Sequence, residues 1–260
     1  MPPLPMLADF AIRLAGGLAA ALAATPWRVV PPRFFRAQCQ VILGLGVLAA
    51  LVISGAPSGP VVLGMAIAMA ALAFASSIAW GLGLPRLGVP VALAIAAASA
   101  ALLAVTADPG RGDLASPVFG LNALSRLASA FLLGSTLTAM LLGHHYLTAP
   151  SMSIVPLERL VRLMAAGLVV RTVLSALMLG WAWSRAGTGL PGGPTIPAAF
   201  VAMRWGMGIF GVGMATILTW KTVRLRSTQS ATGILYIAMT LLLFGELSSL
   251  VLARESHMTI

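Results

Sequence analysis

Charge is what this chain has least of. Of its 260 residues only 8% are Asp, Glu, Lys or Arg, against about 25% in an ordinary soluble domain. Meanwhile 59% are hydrophobic, more apolar surface than a water-soluble core of this length can bury. That excludes a soluble fold and leaves no length for a separate soluble domain, so residues 1–260 are expected to form one integral membrane domain. Cysteine is nearly missing too. A lone Cys39 excludes an intrachain disulfide and a thiolate metal cluster, and reads as a small buried or lipid-facing residue. The N-terminal stretch has no basic residue before Arg13. A signal peptide needs a basic n-region, so the first apolar segment is expected to be a retained span. Nucleophile-elbow, zincin, Walker and dinucleotide motifs are lacking. The glycine-rich stretch 187–194 has no Lys-Ser/Thr ending and is no phosphate cradle.

What remains is long apolar runs. A hydrocarbon core about 30 Å thick needs about 20 apolar residues per helix. Eight segments meet this, at 7–25, 39–56, 61–82, 88–107, 127–147, 163–183, 198–220 and 231–253. Proline and glycine punctuate the breaks between them. The fold class expected is therefore all-α, a polytopic transmembrane helix bundle of about eight spans.

Basic residues orient it. Alternate loops hold Arg28, Arg33, Arg36, Arg86, Arg159, Arg162, Lys221, Arg224 and Arg226 on one side. On the other side, with the two termini, lie Arg111, Arg126, Arg185 and Arg254. The richer set belongs in the cytoplasm, which puts both termini outside a bacterial-type inner membrane. Trp27, Trp80 and Trp220 then fall at cytoplasmic ends and Trp181 and Trp183 at an outer end, as in an aromatic belt. The formal net charge of +10 comes without a basic stripe interleaved with aromatics. It points to anionic lipid headgroups as partners rather than nucleic acid.

Two sequence matches suggest a four-plus-four repeat. Arg33-Phe34-Phe35-Arg36 parallels Arg159-Leu160-Val161-Arg162, and Asp9-x3-Arg13-Leu14-Ala15 parallels Asn122-x3-Arg126-Leu127-Ala128. The second match is weakened by depth, since Arg13 falls well inside its span and Arg126 at the edge of its own.

Charges inside a membrane cost about 2.5–3.5 kcal/mol each on insertion scales, so each asks for a reason. Asp9 and Arg13, four apart, share a helix face and can neutralise each other. Arg204 and Glu246 fall at matching depth on consecutive antiparallel helices, about 9–10 Å in from the outer end at the helical rise; a salt bridge between them is expected. Arg171 lies near mid-span. It is left uncompensated unless Glu246 bridges both arginines or an anionic ligand meets it, since guanidinium keeps its proton and binds carboxylate or phosphate in bidentate fashion. Arg171, Arg204 and Glu246 are thus the candidate ligand-binding residues, converging between the last three helices.

The fifth span ends Gly143-His144-His145-Tyr146-Leu147. Adjacent histidines project about 100° apart and do not chelate one ion as an i, i+4 pair would. The only other histidine, His257, lies at the opposite face. No cofactor is expected within the chain. A quinone, or a haem ligated by His144 or His145 and completed by another membrane subunit, stays open, with Tyr146 beside it; the alternative is a plain interfacial belt.

Three function classes follow. The first is a binding or transport protein for an anionic or amphipathic ligand at Arg171, Arg204 and Glu246. The second is an accessory subunit of a respiratory or electron-transfer complex, acting through His144, His145 and Tyr146. The third, an enzyme on lipid-linked phosphate, suffers from a supply of only six acidic residues. The topology has a direct test. Alkaline phosphatase fused after Ile260 should be active and a fused fluorescent protein dark; a bright, phosphatase-silent C-terminus would invert the orientation.

Overall fold

The computed structural model describes residues 4–106, 117–149, 152–186 and 198–256, all helices and short connections with no strand among them. Arg111, Pro150, the 187–194 stretch and His257 lie outside the described residues, as do the side chains of Trp183 and Arg185. Eight helices are long and apolar enough to cross a membrane. They are α1 (Met6–Ala24), α2 (Pro32–Ser54), α3 (Pro60–Gly81), α4 (Pro85–Val105), α5 (Pro117–Thr148), α6 (Val155–Ala186), α7 (Ala198–Arg224) and α8 (Thr228–Ser256). The chain is thus an all-helical, multi-pass membrane protein.

Proline sets several helix starts. Pro32, Pro60 and Pro85 occupy the first helical position of α2, α3 and α4, where a missing N–H costs nothing and the fixed φ favours the helix. These helices begin earlier than hydropathy suggests. Arg33, Arg36, Arg159 and Arg162 therefore sit on the opening turns of α2 and α6, not in loops. The largest correction is at α5, which starts at Pro117 and so carries Arg126 in its interior, buried. Arg126 leaves the set of outer loop residues. Hydropathy misses this because the turns before residue 127 are dotted with Asn122, Ser125 and Arg126, polar residues that face protein instead of lipid.

Two rings of four helices make up the bundle. In the first, α1 packs on α2 and α4, and α3 packs on α2 and α4. In the second, α5 packs on α6 and α8, and α7 packs on α6 and α8. The neighbour order is the same in both. The rings meet through α1 and α5, which lie against each other over most of α1. These two run parallel, since Asp9 meets Arg126, Arg13 meets Ser129 and Gly17 meets Gly134. Arg13 and Arg126 share the Asp9 carboxylate, but along the seam Arg126 stands level with Asp9 and Arg13 with Ser129, so the two arginines remain about one turn apart.

The α1 helix is buried without interruption from Ala11 to Ala19. On the outer helices Phe74, Val169, Phe210 and Ile237 are exposed, as suits surfaces whose solvent is hydrocarbon. Inside, where lipid offers no hydrophobic drive for helix association, close backbone approach supplies the contact. Gly17 lies against the α5 backbone at Ala130 and Gly134, Gly208 of α7 touches Gly245 of α8, and Gly46 of α2 lies against Ala70 of α3. Trp80 is a further correction. It is 3% exposed and stacks on Phe35 at 4.2 Å between ring centroids, so it belongs to the interior and not to a lipid-facing belt.

The α1–α5 seam has a defined sensitivity. A side chain at position 134 would run into the Gly17 carbonyl and the Leu18 amide, both backbone, whereas one at Gly44 meets nothing. Gly134→Val should lower stability by about 1–3 kcal/mol or abolish folding, as overpacking does. Gly44→Ala should be neutral or raise stability by up to about 1 kcal/mol. Thermal melts in detergent separate the two; equal melting temperatures would mean that the seam is not tightly packed.

Candidate functional site

Four arginines and two carboxylates are buried in the half of the bundle that holds the start of α1 and the end of α8. They form two centres of one pattern, a carboxylate held between two guanidiniums.

In the first centre Asp9, in the opening turn of α1, accepts from Arg13 at 2.6 Å one turn along the same helix, and from Arg126 Nη2 on α5. Arg126 also donates to the Leu103 carbonyl at 2.8 Å and to Thr106 Oγ1 at 3.2 Å, at the end of α4. The expected Asp9–Arg13 pair is present, but it is one side of a three-residue bridge. Sequence reading missed Arg126 as the second partner. The signal was there in the spacing of Asn122-x3-Arg126, which copies Asp9-x3-Arg13.

In the second centre Glu246 of α8 accepts from both arginines considered with it. Arg204 Nη1 of α7 lies 2.9 Å from Oε1. Arg171 of α6 approaches edge-on, its Nε 3.2 Å from Oε1 and its Nη2 3.3 Å from Oε2. Arg171 and Arg204 are 0% exposed and Glu246 1%. Arg171, Arg204 and Glu246 therefore converge, and Glu246 bridges both arginines, so Arg171 is not left alone. Serines complete the shell. Arg171 donates to Ser125 of α5 and to Ser249 Oγ of α8 at 2.8 Å, and Arg204 Nη2 to Ser175 Oγ of α6 at 3.1 Å.

Ser129 of α5 joins the centres. Its hydroxyl accepts from Arg13 Nη1 at 3.4 Å and donates to Glu246 Oε2 at 2.5 Å. Ser125 and Ser129 stand four apart, on one face of α5. One polar chain thus runs from α4 through α5 and α1 to α6, α7 and α8. Among the described residues its charges do not cancel, since four guanidiniums face two carboxylates and leave a net of +2. The carboxylate of Glu246, with four donors, has its acceptor sites filled. Donors are left over instead: Arg13 Nε, Arg126 Nε and Arg204 Nε are buried with no acceptor among the described residues.

Backbone geometry changes next to Arg204. Residues Gly206–Gly211 form a π-helical turn, a wider winding that tends to occur at functional positions. It falls where Gly208 presses on Gly245, one residue before Glu246.

No protein-family model matches this chain. Nor does any curated protein or solved structure resemble it detectably. The assignment of a role therefore rests on the geometry.

The residues at the end of α5 do not form a comparable centre. Tyr146 is buried and donates its hydroxyl to the Ser153 carbonyl, closing the α5–α6 connection. His144 is exposed. His145 is partly buried beside Phe34 of α2, with ring centroids 6.0 Å apart, and its Nε2 has no hydrogen-bond partner among the described residues. Among the described residues no group of three His, Cys, Asp or Glu side chains is placed to hold a metal ion.

Removing the shared carboxylate leaves two buried guanidiniums facing each other. Glu246→Gln should therefore cost about 3–5 kcal/mol, as breaking a buried ion pair does, while Glu158→Gln on α6 stays within about 0.5 kcal/mol. Adding Arg204→Gln to Glu246→Gln should recover part of the loss, because one stranded charge goes with it. Chemical or thermal denaturation of the three variants measures this. Strict additivity of the two changes would show that Glu246 and Arg204 are not coupled.

Proposed function

We propose that this multi-pass protein resides in a bacterial-type inner membrane with both termini outside, and that it binds or carries an anionic or amphipathic ligand at Arg171, Arg204 and Glu246. The observation that carries this reading is the charge imbalance. A purely structural ion-pair network has every reason to be neutral, because each unmatched charge raises the cost of burial. Among the described residues two positive charges remain beyond the carboxylates present, and unsatisfied guanidinium N–H groups remain with them. A carboxylate or phosphate would meet both deficits, since guanidinium binds either through paired hydrogen bonds. Such a group would add beside Glu246 at the spare Arg204 Nε, with the π-helical turn of α7 next to Arg204 as the element that yields.

The test is thermal stability of the detergent-solubilised protein in phosphate, succinate or laurate, each against chloride at equal ionic strength. A ligand at about a hundred times its Kd adds about 2.7 kcal/mol, a rise in Tm on the order of 5 °C for a chain of this size. Arg204→Lys keeps the charge but loses the planar fork, and should reduce that rise. If phosphate, succinate and laurate all leave Tm at its chloride value, the ligand reading fails.

One observation favours a second reading. His145 keeps a buried Nε2 with no hydrogen-bond partner among the described residues, the group that a haem iron or a quinone carbonyl would engage if a partner subunit supplied it. An absorption band near the haem Soret position in material purified under mild conditions, lost in His145→Phe, would move the assignment to an electron-transfer accessory subunit.

A further inference from the structure

Between residues 10 and 107 the chain contains no Asp or Glu. Within that stretch Arg28, Arg33, Arg36 and Arg86 all lie at one end of the first ring, where α1 leads into α2 and α3 into α4. Among the described residues none of the four is in an ion pair. Arg28 rests on the Trp27 ring at 5.2 Å. Arg36 does something different. Its guanidinium lies along the bare backbone of Gly81, with Cζ and Nε 3.6 Å from where a β-carbon would stand. There it caps a groove of about 380 Å³ between α2 and α3.

The composition of that groove changes along its length. Arg36, Gln40 and Ser77 supply a cation and polar groups, and Leu43, Phe74 and Ile78 an apolar wall. Phe74 is 56% and Ile78 46% exposed, so the apolar part faces lipid and not the bundle interior. A cationic head above an apolar trough, on the outward face of two transmembrane helices, has the polarity of one lipid molecule. No carboxylate lines the groove, and that decides the charge of its headgroup. We infer that this groove is a binding site for one anionic phospholipid, whose phosphate pairs with Arg36 and whose acyl chain lies against Leu43, Phe74 and Ile78. A basic residue near the membrane surface contributes roughly 1 kcal/mol of attraction to anionic lipid, about a five-fold preference, and the polar and shape contacts of the groove add to it. The site is separate from the arginine–carboxylate centres and stands whether or not they take a ligand.

Native mass spectrometry of the full-length protein, incubated with equal amounts of phosphatidylglycerol and phosphatidylcholine of the same chain length, reads the site directly. The wild type should retain one phosphatidylglycerol more tightly than any phosphatidylcholine. Arg36→Gln should weaken that lipid about five-fold or more, and Arg36→Lys should keep most of it. Gln40→Trp, which fills the groove and leaves the charge, should also lose it. Arg162→Gln, an exposed arginine on α6, should behave as wild type. The inference is overturned if phosphatidylcholine is retained equally, if Arg36→Gln matches Arg162→Gln, or if Gln40→Trp keeps the full lipid complement, since the charge would then act without the groove.

Discussion

A carboxylate inside a membrane needs its charge met at close range, and Glu246 meets it by drawing three other helices onto α8. Arg171 comes from α6, Arg204 from α7 and Ser129 from α5. No one of these contacts is strong once desolvation is counted. Their joint geometry admits few alternatives, because a shift of any helix strands a charge in a medium that cannot solvate it. The second ring is thereby keyed around one residue. The first ring is tied in at the same depth through Asp9, which takes its second arginine from α5. With Ser129 linking the two carboxylates, registration of the rings becomes an electrostatic requirement as well as a packing one.

The shared neighbour order of the two rings and the parallel contact of α1 with α5 make the molecule read as two related halves. The polar residues keep the pattern only in part. In the sequence match Arg126 takes the place of Arg13 and Asn122 that of Asp9, and the second buried carboxylate lies on α8. Among the described residues Asp9 and Arg13 of the first half balance, while the second half holds three buried arginines and one buried carboxylate on four helices, and the net +2 charge lies there.

Much of the architecture was legible in one dimension. Long apolar runs separated by proline and glycine can be satisfied in hydrocarbon only as helices, so the spans follow from composition and spacing. Cost alone singled out Arg171, Arg204 and Glu246, and depth matching paired two of them. Arg126 was harder. It stands in a mixed polar stretch that a hydropathy window scores as loop, and nothing local says that α5 continues nine residues before it. Trp80 failed for a related reason: position along a span says how deep a side chain lies, not whether it faces lipid or protein.

The sequence by itself determined the solvent, the number of spans, and which charges required partners, because those depend on summed transfer cost along a segment. Only the tertiary structure decided who the partners are. Whether Asp9 takes one arginine or two, whether Glu246 serves Arg171 as well as Arg204, and whether Arg36 meets protein or lipid all depend on which helix faces are opposed. Those faces are set by backbone approach at Gly17, Gly134, Gly208 and Gly245, positions without a side chain, whose partners only the packed bundle reveals.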